Sequence, residues 1–275
     1  MSYKMQKRWG AFWNSVFGVL IIFFLAFPIV WIGLTAFKPQ RSVFTSDIFF
    51  APTLDAFYAI FQEPLSFGPL VLNSFVISGG TVLIALPLAV MAAYAFSRYT
   101  FWGQQPLLVW VLITQFLPPV VVVLPFFALF RRLRLVDTWT GLIWINLAIV
   151  LPYSIWMIKG FVDALPAEIE QAAYVDGANE YQTLRHITLP LLAPSIITAG
   201  VFSFILSWNE FLFALILTRQ EARTLTIGLL STNTAEGIRW DWMSATGLIV
   251  MIPVFLLSMT IRRHFVQGMT MGAVK

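Results

Sequence analysis

Glu168 to Pro190 reads EIEQAAYVDGANEYQTLRHITLP. It is the long polar interruption in the second half of a mostly apolar chain. Its spacing predicts two short helices joined by a glycine turn. Pro166 suits a first helical position, and Glu168 and Glu170 in the first turn oppose the helix dipole. Gly177 suits the left-handed residue that closes a helix. Asn179, with Gln182 three residues on, forms a capping box for the second helix. Pro190 is expected to stop that helix and lead into the next apolar run.

Outward from this stretch the chain is hydrophobic. Of 275 residues, 59% are hydrophobic and 11% charged, against about a quarter charged in a soluble domain. That composition predicts an all-α integral membrane protein. Phe and Trp are abundant, as lipid contact and interfacial belts require. With no cysteine, disulfides and thiolate metal sites are excluded. The net charge of +4 is spread along the chain, without the basic, aromatic-interleaved run of a nucleic-acid surface.

Six runs are long enough to cross about 30 Å of hydrocarbon. They are expected at about 13–37, 70–97, 106–130, 139–160, 194–218 and 242–261, in a single transmembrane domain 1–275. The run from Trp9 to Phe37 is too long for a cleavable leader and is read as a retained span. The third run is interrupted by Pro118, Pro119 and Pro125. An even number of spans puts both termini on one side. Lys and Arg divide almost evenly between the two sides, so the positive-inside rule does not orient the bundle. Arg131, Arg132 and Arg134 fall on the expected outer side, with interfacial snorkelling as their only account.

An amphipathic helix lying on lipid headgroups is the bland alternative for the polar stretch. Such helices carry Lys and Arg on the polar face. Here Asp163, Glu168, Glu170, Asp176 and Glu180 stand against Lys159 and Arg185. An anionic leaflet repels that balance, which suits a pocket on a protein.

The same stretch resembles the cytoplasmic loop of binding-protein-dependent ABC import permeases. That loop carries Glu-Ala-Ala, three residues, Gly, nine residues, Ile, one residue, Leu-Pro. Here the positions are Gln171, Ala172, Ala173, Gly177, Ile187, Leu189 and Pro190, with Gln171 in place of Glu and Glu170 just before it. Ala92 to Gln104, Leu151 to Pro166, Trp208 to Phe211 and the ending Gly268 to Lys275 also resemble the carbohydrate-import branch and its maltose-type second permease.

The resemblance implies a type I importer fold with six spans and a cytoplasmic coupling loop, 164–193. It implies that Glu170, Gln171, Ala172, Ala173, Asp176, Gly177, Ile187, Leu189 and Pro190 belong to the surface that enters a cleft on an ATPase subunit. Replacing Glu by Gln171 puts one salt bridge in question but not the docking. Glu170 points about 100° away around the helix. The expected partners are a homologous second permease, a dimer of ATP-binding subunits and an extracytoplasmic solute-binding protein. The dimer is expected to dock on 166–190, with the C-terminal tail as a second expected contact. The place is the cytoplasmic membrane of a bacterium or archaeon, with both termini cytoplasmic.

No G-x-x-x-x-G-K-[ST] occurs, so ATP and Mg are expected in partner chains and no cofactor in this one. His186 and His264 lack companions at metal-ligand spacing. No nucleophile has a recognisable base, so an enzyme is not expected. Glu210 is the one acid inside a predicted span. With Trp208 and Asn209 it is expected either to line a sugar path or to cap a helix near the outer interface. An ion-coupled secondary transporter is the alternative function, supported by Glu210 alone.

Overall fold

The computed structural model describes residues 3–234 and 237–271, with side chains for 13–234 and 237–260. The expected resemblance of the ending lies, beyond Met271, outside the described residues. In chain order the helices are α1 (Tyr3–Ala36), α2 (Asp55–Phe61), α3 (Phe67–Arg98), α4 (Gln104–Ile113), α5 (Pro119–Arg132) and α6 (Trp139–Ala164). There follow α7 (Ala167–Val175), α8 (Glu180–Thr183), α9 (Leu189–Trp208), α10 (Leu212–Leu217), α11 (Leu225–Gly228) and α12 (Trp240–Met271). A small hairpin pairs β1 (Asn233–Thr234) with β2 (Gly237–Ile238).

Among the described residues five helical runs are long and apolar enough to cross a membrane: Trp13–Ala36, Phe67–Arg98, Trp139–Ala164, Glu180–Trp208 and Trp240–Thr260. The count reaches six if the bent pair Gln104–Phe116 and Pro119–Arg132 is one span. That pair turns by 98°. The cause is local. A residue before proline is pushed out of the helical region, and Leu117 and Pro118 both precede one. Both are extended, with ψ of 120° and 124°.

The fifth span also departs from expectation. It is not a continuous run 194–218 but α9, a break at Asn209–Phe211, and the short α10. Nor does Pro190 stop the second loop helix. Glu180–Trp208 is one helical run, and Pro190 lies in the first turn of α9. In a regular helix its ring would strike the His186 carbonyl. A π-turn over Leu184–Thr188 precedes it, with the Leu189 N–H donating five residues back to Leu184. This wider turn carries the helix past the proline. Half of the polar stretch is thereby fused to a candidate membrane span.

The chain forms two compact units. One holds α1, α2, the hairpin and α12 as far as Met251. Its α1 buries none of its most apolar window within the chain, leaving Phe23, Phe24 and neighbouring residues for lipid or a partner. The other holds α3 to α11 and the rest of α12. Its inner core joins α3, α4, α6 and α9 through Ala89, Ala93, Leu108, Ile158, Leu192 and Ala199. Small residues let α6 and α9 approach, and the Ser154 and Ser203 hydroxyls bond across them at 2.8 Å. A second core packs α5, α6 and α10 through Val123, Phe130, Leu142, Phe213 and Leu217. Gly141 is obligatory in this unit, since a Cβ there would overlap the Leu135 carbonyl.

Candidate functional site

The polar stretch folds into α7, a turn and α8. Pro166 is the N-cap of α7 rather than its first helical residue, and Glu168 and Glu170 occupy the first turn. Gly177 has φ +88°. Its N–H donates to the Tyr174 carbonyl and the Ala178 N–H to the Ala173 carbonyl, the paired bonds that close a helix at a left-handed residue. The capping box is complete: Gln182 N–H donates to Asn179 Oδ1, and Asn179 N–H to Gln182 Oε1, each at 2.9 Å.

The expected loop residues separate into two sets. Glu170 is 6% exposed. Its Oε2 takes a hydrogen bond from Arg98 Nε at 2.7 Å, and its Oε1 takes one from the Thr188 hydroxyl at 2.8 Å. Arg98 also donates to the Leu165 carbonyl. One carboxylate thus ties α7 to the end of α3 and the root of α9. Ala173 is buried against the same base, and Ile187 and Leu189 are half-buried. Gln171, Ala172, Asp176, Gly177 and Pro190 are exposed. Ala172 and Ala173, alike as sequence, therefore differ: one is exposed and the other buried. Beside the exposed set stand Val175, 88% exposed, and Tyr174 and Tyr181, also exposed. Sequence inspection passed over Val175; its signal is an apolar residue just before the glycine turn, on the side away from Glu170. Tyr99 reaches α8 through its hydroxyl, which donates to Glu180 at 2.9 Å. That bond to the carboxylate raises the phenol above its ordinary value.

Trp208, Asn209 and Glu210 lie at the α9–α10 break, and each is engaged locally. Trp208 is buried, stacked on Phe204 at 5.5 Å and against Phe75 at 4.7 Å. Asn209 donates to the Ile205 carbonyl. The Glu210 carboxylate accepts the Phe213 and Ala214 N–H groups at 2.7 and 3.0 Å. These bonds satisfy N–H groups at the start of α10, after the break.

A second carboxylate, Asp137 in the α5–α6 turn, was not singled out by its sequence. It accepts four consecutive backbone N–H groups: Arg219 and Ala222 on Oδ1, Gln220 and Glu221 on Oδ2, at 3.0 to 3.2 Å. Burial pushes this carboxyl up, but the four donors outweigh it and hold it below the usual carboxylate range. Asn73 donates to the Glu221 and Arg223 carbonyls and accepts from Trp139 Nε1. Ser74 Oγ accepts the Leu225 N–H. No signal in the sequence joins partners more than eighty residues apart. Among the described residues no acid or histidine cluster suits a metal ion.

The family described as "Binding-protein-dependent transport system inner membrane component" matches residues 85–271, which include the loop and both cores. The chain belongs to this family. It is 31% identical to the diacetylchitobiose uptake system permease protein DasC of Streptomyces coelicolor, over 98% of this chain and 99% of that protein. It is 32% identical to the trehalose transport system permease protein SugB of Mycobacterium tuberculosis, over 98% of this chain and 100% of that protein. Among solved structures it is similar to a chain of a bacterial ABC transporter involved in the import of the acidic polysaccharide alginate. There the TM-score is 0.80 at 23% identity, over 96% of this chain and 99% of that chain. The fold is that of an ABC importer permease, a multi-pass membrane subunit.

Proposed function

We propose that this permease is one wall of a carbohydrate importer whose ATP hydrolysis takes place in partner chains. The observation that carries the proposal is the two-sided loop. Its inner side is clamped by Glu170, Arg98 and Thr188 to two membrane helices. Its outer side presents Gln171, Ala172, Val175 and Gly177 to whatever docks there. A segment rigidly joined to α9 and open on its other face is suited to act as a lever. Closure of an ATPase dimer holding ATP and Mg would pull the loop and tilt α9 with it. The carbohydrate assignment rests on the diacetylchitobiose and trehalose permeases to which the chain is similar.

In this proposal the loop and both termini are cytoplasmic, and an extracytoplasmic binding protein delivers the sugar on the other side. A homologous second permease completes the path. The lipid-grade surface of α1 and the bent pair α4–α5 are available to it. We assign Trp208, Asn209 and Glu210 to shaping the α9–α10 break rather than to contact with sugar.

The test is co-purification of the ATPase chain together with sugar uptake on the same membranes. Val175→Glu and Ala172→Trp are expected to abolish both while insertion of this chain stays normal. Wild-type values of both for both variants would remove the loop from the docking surface.

A further inference from the structure

The sugar chemistry sought at Trp208 is present elsewhere, in the unit built from α1, α2 and the start of α12. A cavity of about 280 Å³ is lined there by Trp31 and Thr35 of α1, Phe44, and Trp240 and Ser244 of α12. A neighbouring hollow of about 110 Å³ shares Phe44 and Trp240 and adds Gln40, Arg239 and Asp241. Together they reach the lower end of the roughly 300–1,000 Å³ range of small-molecule sites. Resting on the carbohydrate proposal above, we propose that this paired cavity is a holding subsite for one or two neutral sugar rings.

Three observations support that assignment. First, Phe44 is 80% exposed and Trp240 45% exposed beside the cavity. Exposed ring faces flanking a hollow suit the apolar face of a pyranose. Second, the charged groups lining the hollows form a neutral pair, and the other polar groups are hydrogen-bonding. Arg239 and Asp241 pair through two bonds of 3.0 and 2.7 Å, and the guanidinium lies 4.0 Å over Trp242. Their mutual neutralisation favours hydroxyls over a phosphate or a carboxylate. The Gln40 amide and the Ser244 hydroxyl supply further donors and acceptors. Third, the wall is pre-organised. Lys38 is 2% exposed; its Nζ donates to the Thr45 carbonyl at 2.8 Å and sits 4.9 Å from the Trp31 ring centre. This holds the turn bearing Gln40 and Phe44 against α1. The end of α1 and the start of α12 are the outer ends of the first and last spans in the proposed orientation. A sugar released by the binding protein would meet the subsite before the central path.

The experiment uses the transporter assembled from all its chains in nanodiscs, with labelled trehalose, maltose and diacetylchitobiose as probes. Uptake of none of them overturns the carbohydrate proposal, and the subsite with it. For a sugar that is taken up, Trp240→Ala is expected to lower the uptake rate at saturating binding protein by roughly threefold to tenfold. Trp240→Phe, which keeps a ring face, is expected to stay within about twofold. Saturation-transfer NMR without the binding protein should show transfer from aromatic protons to sugar ring protons in wild type and Trp240→Phe, and none in Trp240→Ala. Partner chains should co-purify with every variant. No saturation transfer in the wild type, unchanged uptake in Trp240→Ala, or equal losses in the Ala and Phe variants would each overturn the subsite.

Discussion

Two loops of the larger unit are each held by one carboxylate, in opposite ways. In the 167–183 loop the acid belongs to the loop itself: Glu170 bonds to Arg98 and Thr188. In the loop that follows α10 the acid belongs to the frame: Asp137 bonds to the backbone of residues 219–222. A side-chain clamp fixes where a loop stands and leaves its far face open for a partner. A backbone cradle fixes the loop's own conformation, because consecutive N–H groups converge on one anion. The first arrangement suits the proposed lever, whereas the second preserves a shape.

The largest effect is expected from Glu170→Ala. Breaking a nearly buried ion pair leaves Arg98 without its partner, at a cost of about 3 kcal/mol. We expect a lowered Tm and loss of coupling, seen as ATP hydrolysis without uptake. Normal coupling would show that the clamp is not the lever's root. Next comes Asp137→Asn, at about 2 kcal/mol, because water replaces part of what exposed N–H groups lose. Hydrogen exchange at residues 219–222 should accelerate while 167–182 stays unchanged. If both loops loosened together, the two anchors would not be independent.

Asp137 also makes a pH prediction. Its folded value lies below its unfolded one, so its stabilisation is complete above the unfolded value of about 3.9 and is lost as pH falls through the lower folded value. Limited proteolysis of the 219–222 loop should therefore be flat from neutral pH to about pH 5 and rise only below about pH 4. A transition near neutrality would contradict the cradle.

Smaller effects belong to the open face. Gly177→Leu forces a side chain into a left-handed conformation, at about 1 kcal/mol. No atom of this chain would meet its Cβ. Insertion should survive, while co-purification of the ATPase should fall more than so small a cost predicts. The smallest effect is Gln171→Glu, on an exposed position, expected within about 0.5 kcal/mol and tolerated in uptake.

Much of this was legible in the sequence because it is local. Length and apolar composition set the spans, since about 30 Å of hydrocarbon must be crossed with every backbone group bonded internally. The glycine turn and the Asn179–Gln182 box follow from residues within a few positions of one another. The double proline at 118–119 marked the place of a break. Its 98° angle came from two successive extended residues.

Tertiary structure decided what depends on distant partners. Glu170, one residue from the family's acidic position, became an anchor because Arg98 and Thr188 converge on it. Trp208 is buried because Phe75 and Phe204 close over it. Asp137 acquired four donors from a segment more than eighty residues away. The Trp31, Phe44 and Trp240 cavity joins the two ends of the chain. Helix period and capping are written in neighbouring residues, so the sequence alone determined them. Burial and pairing depend on which helices lie side by side, and only the folded chain determines that.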